Sequence, residues 1–312
     1  MSHQSPTGND LASRGAETKR ALYHEAVNAT WLGFTVNVAL GVAKLVGGLI
    51  AHSFALISDA VNSLGDVFTS LVVLLAFRVA QKPADAEHPY GHTRAEAIAG
   101  SNVAVLVLVS ALLVGWEALT SEHDSPLPPL WTLFIAGTNV AVKELLYQYK
   151  IRVGRRTGSS AVIANAWDHR ADALSALAVF LSLAAIRLGG AGFLIVDKLA
   201  ALFVVFVIVN TAAKLLWSSA QELMDAQADP GFVEEIRDSA AEVDGVRRVD
   251  KLWVRKSGLE FLVDIHIQVD ATRTVDDGHR ISHVVKDRLL ARFGNVRDVL
   301  VHLEPYPHAH EA

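Results

Sequence analysis

From Ala29 to Trp217 the chain repeats one pattern, a long apolar stretch followed by a short polar break, and few folds can absorb it. The stretches run over Ala29–Ala51, Phe54–Ala80, Ala95–Leu119, Leu130–Tyr149, Ser160–Leu188 and Gly192–Trp217. Each reaches roughly 20 residues or more, which at about 1.5 Å per residue crosses a hydrocarbon core ~30 Å thick. The expected fold is a polytopic α-helical membrane protein with six transmembrane helices. A soluble bundle of buried helices is the alternative, and the basic residues argue against it. Lys19 and Arg20 precede the first stretch, Arg78 and Lys82 follow the second, and Lys150, Arg152, Arg155 and Arg156 follow the fourth. The opposite breaks, His52–Ser53, Ser121–Pro129 and Gly189–Gly192, are almost free of Lys and Arg, with only Arg187 nearby. Such alternation predicts an integral membrane protein with both termini facing the cytoplasm.

Residues 1–24 are polar and lack an apolar h-region, so they are expected to be a disordered tail rather than a cleaved signal. Residues 25–217 form the expected membrane domain and 218–312 a soluble domain. A net charge of −5 without a basic stripe excludes nucleic acid as a partner. The absence of cysteine excludes disulfides, thiolate metal sites and cysteine nucleophiles.

Polar residues inside the apolar stretches carry the functional signal. Asp59, Asn62 and Asp66 share one face of the second stretch, and Asn165, Asp168 and Asp172 share one face of the fifth. Ionisable groups at membrane depth are costly and normally face a bundle interior or a wet cavity. Two helices with paired oxygen ligands four residues apart supply four ligands when they face each other, which is a membrane-embedded cation site. The alternative is that these groups hydrogen-bond between helices as packing contacts.

Asp85, His88 and His92 cluster on the loop after the second stretch and make a candidate surface metal site; a solvated turn built on Pro89 and Gly91 is the other reading. Beyond Trp217, Asp229-Pro230 opens a helical pattern through Glu242. Arg248–Lys256 and Glu260–Asp270 read as strands joined at Ser257-Gly258, Val275–Phe293 as a helix and Val296–Leu303 as a final strand. This α-β-β-α-β order predicts a small open sheet covered by two helices.

The stretch Ser53-Phe54-Ala55-Leu56-Ile57-Ser58-Asp59 through Asp66, the run Trp167-Asp168-His169-Arg170-Ala171-Asp172-Ala173-Leu174-Ser175 and the loop Gln81-Lys82-Pro83-Ala84-Asp85 through Glu96 together resemble the cation diffusion facilitator family of proton-coupled metal transporters. The resemblance covers nearly the whole chain beyond the tail. It implies a transport tetrad at Asn62, Asp66, Asp168 and Asp172, a secondary metal site at Asp85, His88 and His92, and a charge interlock of Arg94 with Asp225. It also implies that the C-terminal α+β domain is metallochaperone-like and dimerises, with metal-binding positions at Asp250, His266, His279, His302 and Glu304. Zinc-transporting members usually place histidine at one or both of the first tetrad positions, whereas this chain has Asn62 and Asp168. Such an all-oxygen set suits Mn²⁺, while imidazole suits Zn²⁺, Co²⁺ and Ni²⁺, and the pattern is similar to the family's bacterial manganese exporters.

The expected activity is therefore proton-coupled efflux of Mn²⁺ by a homodimer, with Zn²⁺, Fe²⁺, Co²⁺ or Ni²⁺ as alternative ions. Metal is the substrate, the bilayer and protons are the partners, and no resident cofactor or enzymatic activity is expected. An intramembrane metalloenzyme would need a general base beside the metal; His169 is the one candidate, and its helical angle points it off the tetrad face. A membrane metal sensor that does not transport is the remaining rival.

Overall fold

The computed structural model describes residues 8–50, 54–120, 130–189 and 194–307, without the side chains of 8–16, 48, 54–62, 114, 117–118, 130–136, 175–176, 178–189 and 194–201. Six long helices come first: α1 Gly8–Ile50, α2 Phe54–Ala80, α3 Ala95–Thr120, α4 Leu130–Thr157, α5 Ser160–Gly189 and α6 Leu194–Leu223. They are followed by α7 Pro230–Ala241, β1 Arg248–Ser257, β2 Glu260–Asp270, α8 Val275–Arg292 and β3 Val296–Tyr306. The chain divides into two compact units, one of residues 25–220 and one of residues 221–312 joined by the N-terminal segment up to His24.

Residues 8–24 depart from the expected tail, because α1 extends back to Gly8. Tertiary contact accounts for the difference. Lys19 lies 3.7 Å from Glu260, and the Thr18 side chain packs against Gly294.

In the first unit, α4 packs most extensively on α5, which also packs on α3 and α2. Among the described residues, four stretches are long and apolar enough to cross a membrane: Glu17–Gly47, Ser63–Ala80, Ala95–Leu113 and Leu202–Leu223. The helices carry their apolar side chains outward. On α2, Leu64, Phe68, Leu71 and Leu75 are exposed, at the 4-3-4 spacing of one helix face, whereas Asp66, Thr69 and Ser70 are buried. Leu112, Leu113 and Trp116 on α3 and Phe203 and Phe206 on α6 are likewise exposed. Apolar faces of this extent are unstable in water and stable in hydrocarbon. The soluble-bundle alternative fails on this observation.

The second unit has a three-stranded sheet in the order β1-β2-β3, with β1 antiparallel and β3 parallel to β2. The hairpin turns at Gly258-Leu259, where Gly258 takes φ +65°, a conformation that glycine adopts without a Cβ clash. A parallel neighbour requires a crossover, and α8 supplies it. The core is formed by Ile236 and Ala240 of α7, Val263, Ile265 and Ile267 of β2, and Ile281, Val285 and Leu289 of α8. The alternation expected of β2 holds for its apolar residues, but Gln268 on the other face is also buried.

Candidate metal centre

Within the membrane domain, α4 presents a buried stripe of Asn139, Lys143, Leu146, Lys150 and Thr157, at steps of four, three, four and seven residues along one helix face. Two lysines therefore point into the bundle. The Lys143 ammonium donates to Oδ2 of Asp66 on α2 and, at 3.0 Å, to Oδ2 of Asp172 on α5. Lys143 is 1% exposed and Asp66 5%, so this ion pair is shielded from water. The two carboxylates expected to share one cation do share one, and it is a lysine.

Asp168, also buried, is held by a different contact. The Thr69 hydroxyl donates to its Oδ2 at 2.8 Å, and Asn165 Nδ2 donates to the Thr69 oxygen at 3.3 Å. The Asn165 Oδ1 in turn accepts from Lys150, whose Nζ lies 2.9 Å from His169 Nε2. A continuous polar chain thus runs Lys150, Asn165, Thr69, Asp168 across α4, α5 and α2. It fixes the orientation of Asp168 in a setting where each unpaired polar atom would be costly. Opposite it, α1 contributes Gly33, whose missing Cβ leaves room for Lys150. His169 belongs to this chain and not to the carboxylate cluster, so it does not stand as a base beside a tetrad-bound ion. The Asn62 side chain lies outside the described residues; its position on α2 is one turn before Asp66.

Neither lysine was anticipated as a site residue. In the sequence Lys150 is one of the basic residues flanking the fourth apolar stretch, and Lys143 lies inside that stretch. Their spacing of two full turns was the available signal.

The loop residues Asp85, His88 and His92 come together in the fold. Asp85, His88 and His92 each offer a ligand atom within 4.8 Å of the others. The aspartate stands 3.4 Å from each imidazole, and the two rings lie 4.4 Å apart. Asp85 Oδ1 accepts from the backbone N–H of His88 at 2.6 Å and of Glu87 at 3.1 Å. The first of these bonds holds its carboxyl below the usual carboxylate range. Gly91 at φ +76° closes the turn that brings His92 back.

In the second unit, His266, His302 and Glu304 also lie within 4.8 Å of one another. Parallel register places His266 beside His302 and Gln268 beside Glu304. His266 Nδ1 stands 2.7 Å from Glu304 Oε1, and the ring of Trp253 packs edge-on against His266 at 5.3 Å. Three of the five expected positions therefore meet. Asp250 and His279 stand outside the cluster. His279 is on α8, which covers the sheet face of Ile265 and Ile267, whereas His266 projects from the opposite face; its ring lies 4.5 Å from that of His283. Asp250 falls in the irregularity of β1 between Val249 and Leu252. Asp225, expected to pair with Arg94, takes φ +58° and lies 3.7 Å from Arg255.

A buried carboxylate, Asp66, and a half-buried one, Asp172, thus share one ammonium within a lipid-facing bundle. The cation efflux transmembrane domain family matches residues 30–224, and the cation efflux protein cytoplasmic domain family matches residues 228–306. The chain belongs to the cation efflux family. It is 30% identical over 280 residues to the manganese efflux system protein MneP of Bacillus subtilis, covering 88% of this chain and 94% of that one. It is 31% identical to the magnetosome protein MamB of Paramagnetospirillum magneticum, covering 89% and 94%. Metal tolerance protein C1 of Arabidopsis thaliana is 33% identical and matches 88% of this chain, which spans 61% of that protein. Cation efflux is a transport activity, and the substrate of such a protein is the metal ion itself.

Proposed function

We propose that this chain exports a divalent metal cation from the cytoplasm in exchange for protons, by alternating access around Asn62, Asp66, Asp168 and Asp172. One observation carries the proposal: Asp66 and Asp172, from different helices, converge on a single buried cation. Asp168 joins them through its Thr69 contact on α2, and Asn62 stands one turn from Asp66. Six spanning helices would enclose the site, residues 25–217, with both termini and residues 218–312 in the cytoplasm. Ligands must be deprotonated to bind a metal; with Asp66 and Asp172 paired to Lys143, the proton given up on loading would come from Asp168, and rocking of helices around a fixed midplane site would exchange metal for proton.

Mn²⁺ is the favoured ion. Carboxylate and amide oxygens suit it, and the relative MneP is named for manganese efflux. Zn²⁺, Fe²⁺, Co²⁺ and Ni²⁺ remain alternative substrates. The triads Asp85, His88, His92 and His266, His302, Glu304 have the oxygen and imidazole donors of secondary metal sites. The cytoplasmic domain would dimerise and answer to metal through the second of them.

The test is metal tolerance in an exporter-deficient bacterial host. Asp66→Ala and Asp172→Ala abolish tolerance while reaching the membrane; full resistance from both variants refutes the tetrad. In proteoliposomes, metal and protons move in opposite directions for an exchanger, so lumenal pH rises as metal enters, and it does not for a sensor. Asn62→His shifts preference toward Zn²⁺, and an unchanged Mn²⁺/Zn²⁺ ratio assigns ion choice to groups outside the tetrad.

A further inference from the structure

Lys143 occupies the place of a shared cation. Its ammonium bonds both Asp66 and Asp172, yet it comes from α4, a helix to which no tetrad residue belongs. We infer that Lys143 is the site's own counter-ion, held between Asp66 and Asp172 when the site carries no metal and expelled from between them by the arriving divalent cation. The inference rests on Asp66 and Asp172 being the metal ligands.

Geometry makes the two cations exclusive. Oxygen ligands of hard divalent ions stand at roughly 2.0–2.6 Å, so an ion gripped by both Oδ2 atoms fills the volume of the Lys143 Nζ. Charge makes the exchange directional. A divalent ion attracts the two carboxylates twice as strongly as an ammonium does, whereas a monovalent ion gains nothing by the replacement. The lysine therefore sets a threshold that favours doubly charged substrates. The four-carbon stem of lysine has freely rotatable bonds, so the ammonium can withdraw without displacement of α4. After release, its return re-pairs both carboxylates. The carrier is then spared the cost of leaving buried charges uncompensated while it resets.

The experiment is the initial rate of Mn²⁺ uptake into proteoliposomes of the full-length chain, for Lys143→Met and Lys143→Arg. Methionine removes the competitor, so KM falls about tenfold, the scale of one charge-assisted bond, and kcat falls because the emptied site resets slowly. Arginine grips the carboxylates with a two-pronged fork and raises KM by about tenfold. A purely structural lysine predicts that both substitutions raise KM or that neither changes it, and either result overturns the inference. If Lys143→Met folds too poorly for transport, its melting temperature decides: Mn²⁺ stabilises it more than the wild type, and an equal or smaller shift counts against the counter-ion. Asp66→Ala in the same assay separates the two levels. Unaltered uptake by Asp66→Ala removes the ligand reading itself, while a dead Asp66→Ala beside Lys143 variants that shift alike removes only the counter-ion.

Discussion

The hydroxyl of Thr69 donates to the carboxylate of Asp168 at 2.8 Å, joining α2 to α5 by a side-chain bond at the edge of the carboxylate cluster. Thr69 also lies 3.0 Å from the backbone carbonyl of Asp66 on its own helix. One small side chain, a turn from Asp66 on α2, thus orients Asp168 of α5.

Thr69→Val keeps the shape and removes the donor. Loss of one hydrogen bond to a charged group costs about 1.5–3 kcal/mol, so the variant raises the KM for metal uptake by roughly tenfold or more at unchanged expression. Uptake kinetics in proteoliposomes read this directly.

Gly154 on α4 lies tight against α5. A Cβ there would lie 2.8 Å from Ile163 Cγ1 and 3.1 Å from its backbone nitrogen. Gly154→Ala forces apart the two helices that carry Lys143 and Asp172, at about 1–3 kcal/mol of overpacking. The expected outcome is a lower melting temperature in detergent, with reduced uptake.

Glu222, near the end of α6, accepts from the Gly258 N–H at 2.8 Å and from the Lys256 ammonium at 2.7 Å. It clamps the β1–β2 hairpin at its turn. Glu222→Ala leaves the buried Gly258 N–H without this acceptor, at about 1–3 kcal/mol. Faster amide exchange confined to residues 256–260 is the expected signature.

Thr274 caps α8 by accepting from the Asp277 N–H, and its hydroxyl donates to the Asp277 carboxylate at 2.8 Å. That second bond is the leading reason the Asp277 carboxyl is held below its ordinary range. A carboxyl lowered on folding adds stability above its unfolded value, near 3.9, and loses it as pH falls through the lowered one. Thr274→Ala is therefore destabilising at neutral pH by about 1 kcal/mol, as other N-cap losses are. The gap to wild type narrows below about pH 4. Chemical unfolding of the full chain at the two pH values measures it.

The loop and sheet triads are separate in the chain and draw on different elements. His92→Ala and His302→Ala each lower the number of Zn²⁺ ions bound by the full-length protein in calorimetry, and the double variant lowers it by the sum. Chelation before the titration restores the wild-type count and not that of the variants.

Helix periodicity made the six long helices, the acidic faces of α2 and α5 and the α-β-β-α-β order readable in advance, because each depends on residues only a few positions apart. The Asp85, His88, His92 cluster was equally local, closed by one glycine turn. Contacts between distant segments were not readable. Lys143 lies inside an apolar stretch of the sequence, and only folding brings its ammonium to Asp66 of α2 and Asp172 of α5. His279 looked like a ligand until α8 covered the face of the sheet opposite His266. Residues 8–24 looked like a tail until Lys19 met Glu260. Spacing along one element decides which side chains share a face; which charges come to lie together in a region without water is decided only when the faces pack.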